Sequence, residues 1–229
     1  MYQKEFLPLL IYHLRICDLF KCIPFEYEEK SERFAKSKSI KVIRFFKLQC
    51  ILTAVHCTAL FLNICFGPLT KAERLQGLSI MICSLAAAIP SWNYSIDIAP
   101  IQIINAFLDF DARIIKNLTN LATSSTTKAI KAFVVLVEIA IFSYPILVFL
   151  LLRFLPCMPP FILSMFANCG RQKCSTIRYG LQLGVHIFET WIEYHAKVSG
   201  ATWFLYALFA GIGFLLHYFE LLTRYLRLK

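Results

Sequence analysis

The chain is short of charge and of every common mark of chemistry. Only 17% of its 229 residues are Asp, Glu, Lys or Arg, against 58% hydrophobic, and the mean hydropathy is +0.62. Soluble domains carry about 25% charged residues, so a water-soluble globular fold does not fit. The nine cysteines form no CxxC pair, and the five histidines form neither HExxH nor the clustered boxes of membrane di-iron oxygenases. A structural zinc or a di-iron centre therefore lacks its ligands. GxSxG and glycine-rich phosphate loops are missing too, so the reading is of a protein that is not an enzyme, with no catalytic residues, no metal and no cofactor. The opening residues lack the small-residue cleavage site of a signal peptide, and Phe6 to Tyr12 reads as part of an interfacial amphipathic helix.

Long apolar runs are what the chain does have. Ala132 to Leu155 reads AFVVLVEIAIFSYPILVFLLLRFL, enough at about 1.5 Å per residue to cross a hydrocarbon layer of about 30 Å. About 17 Val, Ile, Leu and Phe side chains at about −0.4 kcal/mol each outweigh one acid, Glu138, at about 3 kcal/mol. Three further runs are comparable, giving spans at about 45–66, 77–99, 132–155 and 201–222 behind a charged arm at 1–44. The expected fold is all-α: a polytopic membrane bundle of about four transmembrane helices, multi-pass, in the plasma membrane.

The net charge of +10 lies in the segments between apolar runs rather than on one face with interleaved aromatics, so no nucleic-acid partner is expected. Lys30, Arg33, Lys36, Lys38, Lys41 and Arg44 precede the first span, whereas the loop at 67–76 carries only Lys71 and Arg74. By the positive-inside rule both termini are cytosolic. The sequons at Asn93 and Asn117 then stay unmodified, and a glycan on Asn117 would invert the orientation. Cys157, Cys169 and Cys174 share the third connecting segment, where either a disulfide or three free thiols fits.

Two acids, Glu138 and Asp97, lie nearest the bilayer interior and are candidates for a ligand or pathway contact. The plainer reading gives them headgroups or a neighbouring helix. From Arg178 to Lys197, Gln182, His186, Glu189, Glu193 and Lys197 recur at helical spacing as a polar stripe on an otherwise apolar cylinder. Beside it stand Phe188, Trp191, Tyr194 and Trp203, which suit either the wall of an apolar ligand pocket or an interfacial aromatic belt. The candidate ligand-binding residues are Tyr144, His186, Trp191, Tyr194 and Trp203.

The segment IPFEYEEKSERF at Ile23 to Phe34, the basic stretch leading into the first span, and WNYSIDIAPIQIINAFLDFDARI from Trp92 to Ile114 resemble the amino-terminal half of the arthropod gustatory and odorant receptor superfamily. That resemblance implies a chemosensory receptor fold of seven spans with a cytosolic amino terminus, assembled as a tetrameric ligand-gated cation channel. It implies a small organic ligand in the outer half of the bundle, and receptor subunits as homo- or hetero-oligomeric partners within the lipid bilayer. The family's last span, with its TY and QF, has no counterpart before Lys229, so the resemblance implies a shortened member. The alternative is a four-helix scaffold or accessory subunit, although the CCG of tetraspanins and the GLW of claudins are both missing.

Overall fold

The computed structural model describes residues 6–117, 125–165 and 176–202, together with residues 205, 206, 211, 212, 215, 216, 218, 219 and 223. Helices α1 (Leu7–Phe20), α2 (Ile40–Phe66), α3 (Lys71–Ser91), α4 (Ala99–Asn117), α5 (Ser125–Phe154) and α6 (Thr176–Ala201) dominate it. Strands β1 (Phe25–Glu28) and β2 (Arg33–Lys36) separate α1 from α2. The all-α expectation is therefore corrected by one small antiparallel hairpin, with Phe25 opposite Lys36 and Glu28 opposite Arg33. Its strands are four residues long and half charged, too short for alternation to declare them.

Three helices, Ile40–Phe66, Lys71–Ser91 and Lys128–Phe154, are long and apolar enough to cross a bilayer. Only 33%, 17% and 17% of their most apolar windows are buried within the chain, which leaves Leu48, Val55, Ile82, Leu136 and Ile146 exposed. α3 starts and stops earlier than the expected 77–99. Thr70 and Glu73 form a reciprocal cap at its start, Thr70 N–H donating to Glu73 at 2.7 Å and Glu73 N–H to Thr70 Oγ1 at 3.3 Å. At its end Pro90 removes a backbone donor, and a turn follows. Most of the expected fourth span at 201–222 lies outside the described residues.

The chain divides into two compact units. The first comprises Met1–Phe46, Asn93–Ile139 and Ala201–Lys229; the second comprises Lys47–Trp92 and Ala140–Gly200. The chain thus changes unit four times, and the second unit holds only three acids, Glu73, Glu189 and Glu193.

In the first unit, α1 buries Leu7, Leu10, His13, Leu14 and Cys17, a stripe at three- and four-residue spacing. It ends at Lys21 in the left-handed region, φ 52°, where the Cys22 N–H returns to the Cys17 carbonyl. α4 turns Ile101, Ile104 and Leu108 inward. Asn105 of α4 grips the hairpin: its Oδ1 accepts the Phe34 N–H at 2.9 Å and its Nδ2 donates to the Phe34 carbonyl at 3.0 Å. One side chain thereby satisfies both backbone groups of an edge-strand residue. Arg33 adds a two-pronged pair to Asp109 at 2.9 and 3.0 Å.

In the second unit, Leu60, Ile64 and Met81 form one apolar cluster, and Val148, Leu152 and Phe161 another. Arg74 closes the α2–α3 turn by donating to the carbonyls of Cys65, Gly67 and Leu69, a cation at a helix C-terminus. A Cβ on Gly200 would stand 2.6 Å from the Ala87 carbonyl oxygen, so only glycine permits that approach of α6 to α3.

Candidate functional site: two buried carboxylates

α6 is built inside out. Glu189 and Glu193 are 0% and 2% exposed, whereas Leu181 and Ile187 are 68% and 53% exposed. His186, Glu189 and Glu193 of the stripe thus face protein while Leu181 and Ile187 face outward, and further along the helix Ile192, Ala196 and Val198 are buried as well. In water this arrangement would forfeit burial of the aliphatic side and desolvate the acids.

Glu193 is the centre of the second unit. Ser84 of α3 donates to its Oε1 at 2.6 Å, and His56 of α2 stands 3.9 Å from the same oxygen. Lys197, one turn along α6, pairs with Oε2. The Lys197 ammonium also lies 4.1 Å from the centre of the Tyr144 ring on α5, a cation–π contact. Four helices therefore meet at one carboxylate whose charge is balanced locally. A turn away, Glu189 accepts the Ile162 N–H at 2.6 Å, and Asn63 donates to the Pro160 carbonyl at 2.8 Å and to Ser164 at 2.7 Å. Asn63 and Glu189 thus fasten the segment 160–164 from two helices.

Glu138 is the centre of the first unit. His13 Nδ1 reaches it at 2.9 Å and the Tyr206 hydroxyl donates to it at 2.6 Å. The other ring nitrogen of His13 lies 2.9 Å from the Thr202 hydroxyl, which is 3.9 Å from the Cys17 sulfur. Backbone at Thr202, Leu205 and Tyr206 is π-helical, a widened turn common where side chains must be re-aimed. Burial opposes charge on the His13 ring, but the Cys17 sulfur and the Glu138 carboxylate beside it outweigh that and raise the ring to about 10. Acid, imidazole and hydroxyl stand in a row, but a ring raised to about 10 keeps its proton at neutral pH and cannot act as the base of a nucleophilic triad. The Thr202 hydroxyl is buried against Cys17, so a substrate reaches it only if the unit opens.

The five candidate ligand residues divide among neighbours. Tyr144 belongs to the Glu193 cluster. His186 is fully buried on the stripe, within electrostatic reach of Arg153. Trp191 packs near Phe188 and His195, and Tyr194 near Phe142 of α5. Trp203 lies outside the described residues. Asp97 sits exposed in the α3–α4 turn, held by the Asn93 side chain, and its carboxylate accepts the Ala99 N–H at 2.9 Å to start α4. Cys157 is disulfide-bonded, while Cys169 and Cys174 lie outside the described residues. Sequence reasoning found Glu138, Glu193 and Lys197 as polar interruptions of apolar helices. It missed His13, His56, Ser84, Thr202 and Tyr206, whose roles depend on long-range contacts. His56 alone left a signal, in register seven residues from both Gln49 and Asn63.

Comparison with protein families, with curated proteins and with solved structures finds no match.

Proposed function

We propose that the chain is a chemosensory-receptor-like integral membrane protein with four spans and cytosolic termini, and that it takes a small organic ligand in the second unit. The observation that carries this is the inverted burial of α6. A helix with carboxylates inside and aliphatics outside is stable where the surroundings are lipid and the interior supplies partners. α6 then leads into the expected fourth span at 201–222. The basic arm, the charged segment around Arg113 to Lys131 and the carboxy-terminal basic residues support the cytosolic placement of both termini by the positive-inside rule.

Tyr144, His186, Trp191 and Tyr194 all belong to the second unit and supply aromatic surface beside few polar groups, the usual lining of a small-molecule site. The receptor superfamily that the chain resembles gives the reading its class: a ligand-gated cation channel family of the plasma membrane, working with receptor subunits. Phenethylamine, phenethyl alcohol and sucrose titrated against the protein in lipid nanodiscs test it through tryptophan fluorescence. A saturable change with one of the three, lost in Trp191→Phe, supports a ligand site. A flat response to a broad panel of such compounds, with a stable complex to another membrane protein instead, favours the scaffold reading.

A further inference from the structure

Polar side chains run the length of the second unit in an ordered file. On α2, Gln49, His56 and Asn63 recur every seven residues and are 2%, 3% and 4% exposed. Seven residues are close to two helical turns, so the three share one face over about 21 Å. On α6, Ser199, Glu193 and Glu189 are likewise buried and, with the two helices antiparallel, follow the order of Gln49, His56 and Asn63. His56 Nδ1 stands 3.9 Å from Glu193, and Asn63 and Glu189 both hold the segment 160–164, which sets the two helices antiparallel within this unit.

The file is incompletely satisfied. Both amide atoms of Gln49, His56 Nε2, Asn63 Oδ1, Glu189 Oε2 and Ser199 Oγ are buried without a hydrogen-bond partner among the described residues. Each such atom costs about 1–3 kcal/mol if it stays dry, and six of them gathered on two helices call for a partner. Lipid cannot satisfy them. Water can, since a buried water needs two to four polar partners and the file offers them at every level.

We propose that the interior of the second unit is a hydrated track, a line of ordered waters from Asn63 and Glu189 past His56 and Glu193 to Gln49 and Ser199, open to small hydrophilic molecules from one aqueous side. It requires that the chain spans a membrane and holds whether or not an organic ligand binds. Its levels carry a titratable or amide group about every 10 Å, the furniture of a path for water and small cations.

Cysteine accessibility tests it with depth-matched controls. Single cysteines replace Asn63, His56 and Gln49, or their lipid-facing neighbours Leu62, Val55 and Leu48, which are 48%, 60% and 49% exposed. The background has Cys17, Cys22, Cys50, Cys57, Cys65 and Cys83 changed to alanine, and its own reaction through the remaining Cys169 and Cys174 is measured and subtracted. With the full chain in vesicles and aminoethyl methanethiosulfonate as the probe, the three track positions react at least tenfold faster than their neighbours. Equal rates, or track cysteines that react only after unfolding, overturn the proposal. If the cysteine variants do not fold, the unsubstituted protein decides by solid-state NMR. Magnetisation passing from water to the His56 ring supports the track, and its absence while exposed Lys71 receives it refutes it.

Discussion

Glu138 and Glu193 are two solutions to one problem, a carboxylate buried in a largely apolar chain. Glu138 is 13% exposed and is answered by an imidazole and a phenol; Glu193 is 2% exposed and is answered by an ammonium, a hydroxyl and a distant imidazole. The difference lies in what remains if the acid is removed. His13 can release its proton and stay hydrogen-bonded to Thr202. Lys197 makes its one charged hydrogen bond to Glu193 and otherwise keeps only the face of the Tyr144 ring. The first unit therefore has a network that yields to its surroundings, and the second one that does not.

The comparison breaks most sharply at Glu193. Glu193→Ala strands Lys197 in a buried site and costs about 3–5 kcal/mol, read as the shift in denaturant-induced unfolding in detergent micelles. The double change with Lys197→Met recovers much of it, because no uncompensated charge is left. Glu138→Ala costs less, about 2 kcal/mol, the worth of hydrogen bonds to a charged acceptor. A Glu138 loss as large as that at Glu193 would erase the distinction between the units.

A smaller effect sharpens it through pH. The His13 ring is raised from 6.5 to about 10 in the folded chain. Its stabilisation is then complete below about 6.5 and fades as the pH climbs through about 10. Unfolding midpoints of the wild type fall across that window, and those of His13→Gln fall less. The smallest effect belongs to Arg33→Ala at the hairpin. The Arg33–Asp109 pair is half-exposed on both sides, so its loss costs about 0.2–1 kcal/mol in thermal melts, while Asn105→Ala, which removes the grip on Phe34, costs more.

Particular residues show what could be read in advance. The span at 128–154 announces itself because its apolar run has no competitor among other folds. The stripe at 182–197 announces its period, but period alone does not say whether the polar side faces water or protein. Burial of Glu189 and Glu193 depends on Ser84, on Lys197 and on the Ile162 N–H, two of them distant in sequence. The hairpin escaped notice because FEYE and RFAK gain their strand conformation from Asn105, about 70 residues later. His13 escaped for the same reason: an isolated histidine on a short helix acquires meaning only from Glu138 and Thr202.

Four crossings with both ends in the cytosol leave a distinct pattern of glycan on the chain. Glycosylation acceptors introduced one at a time into the turn at 67–70, the segment at 166–175, the amino terminus and the carboxy terminus, with the chain made in the presence of microsomes, read it out. Glycan is expected at the first two sites only, and none at the natural Asn117 sequon. Glycan at Asn117, or on one terminus but not the other, would contradict four crossings with both ends in the cytosol.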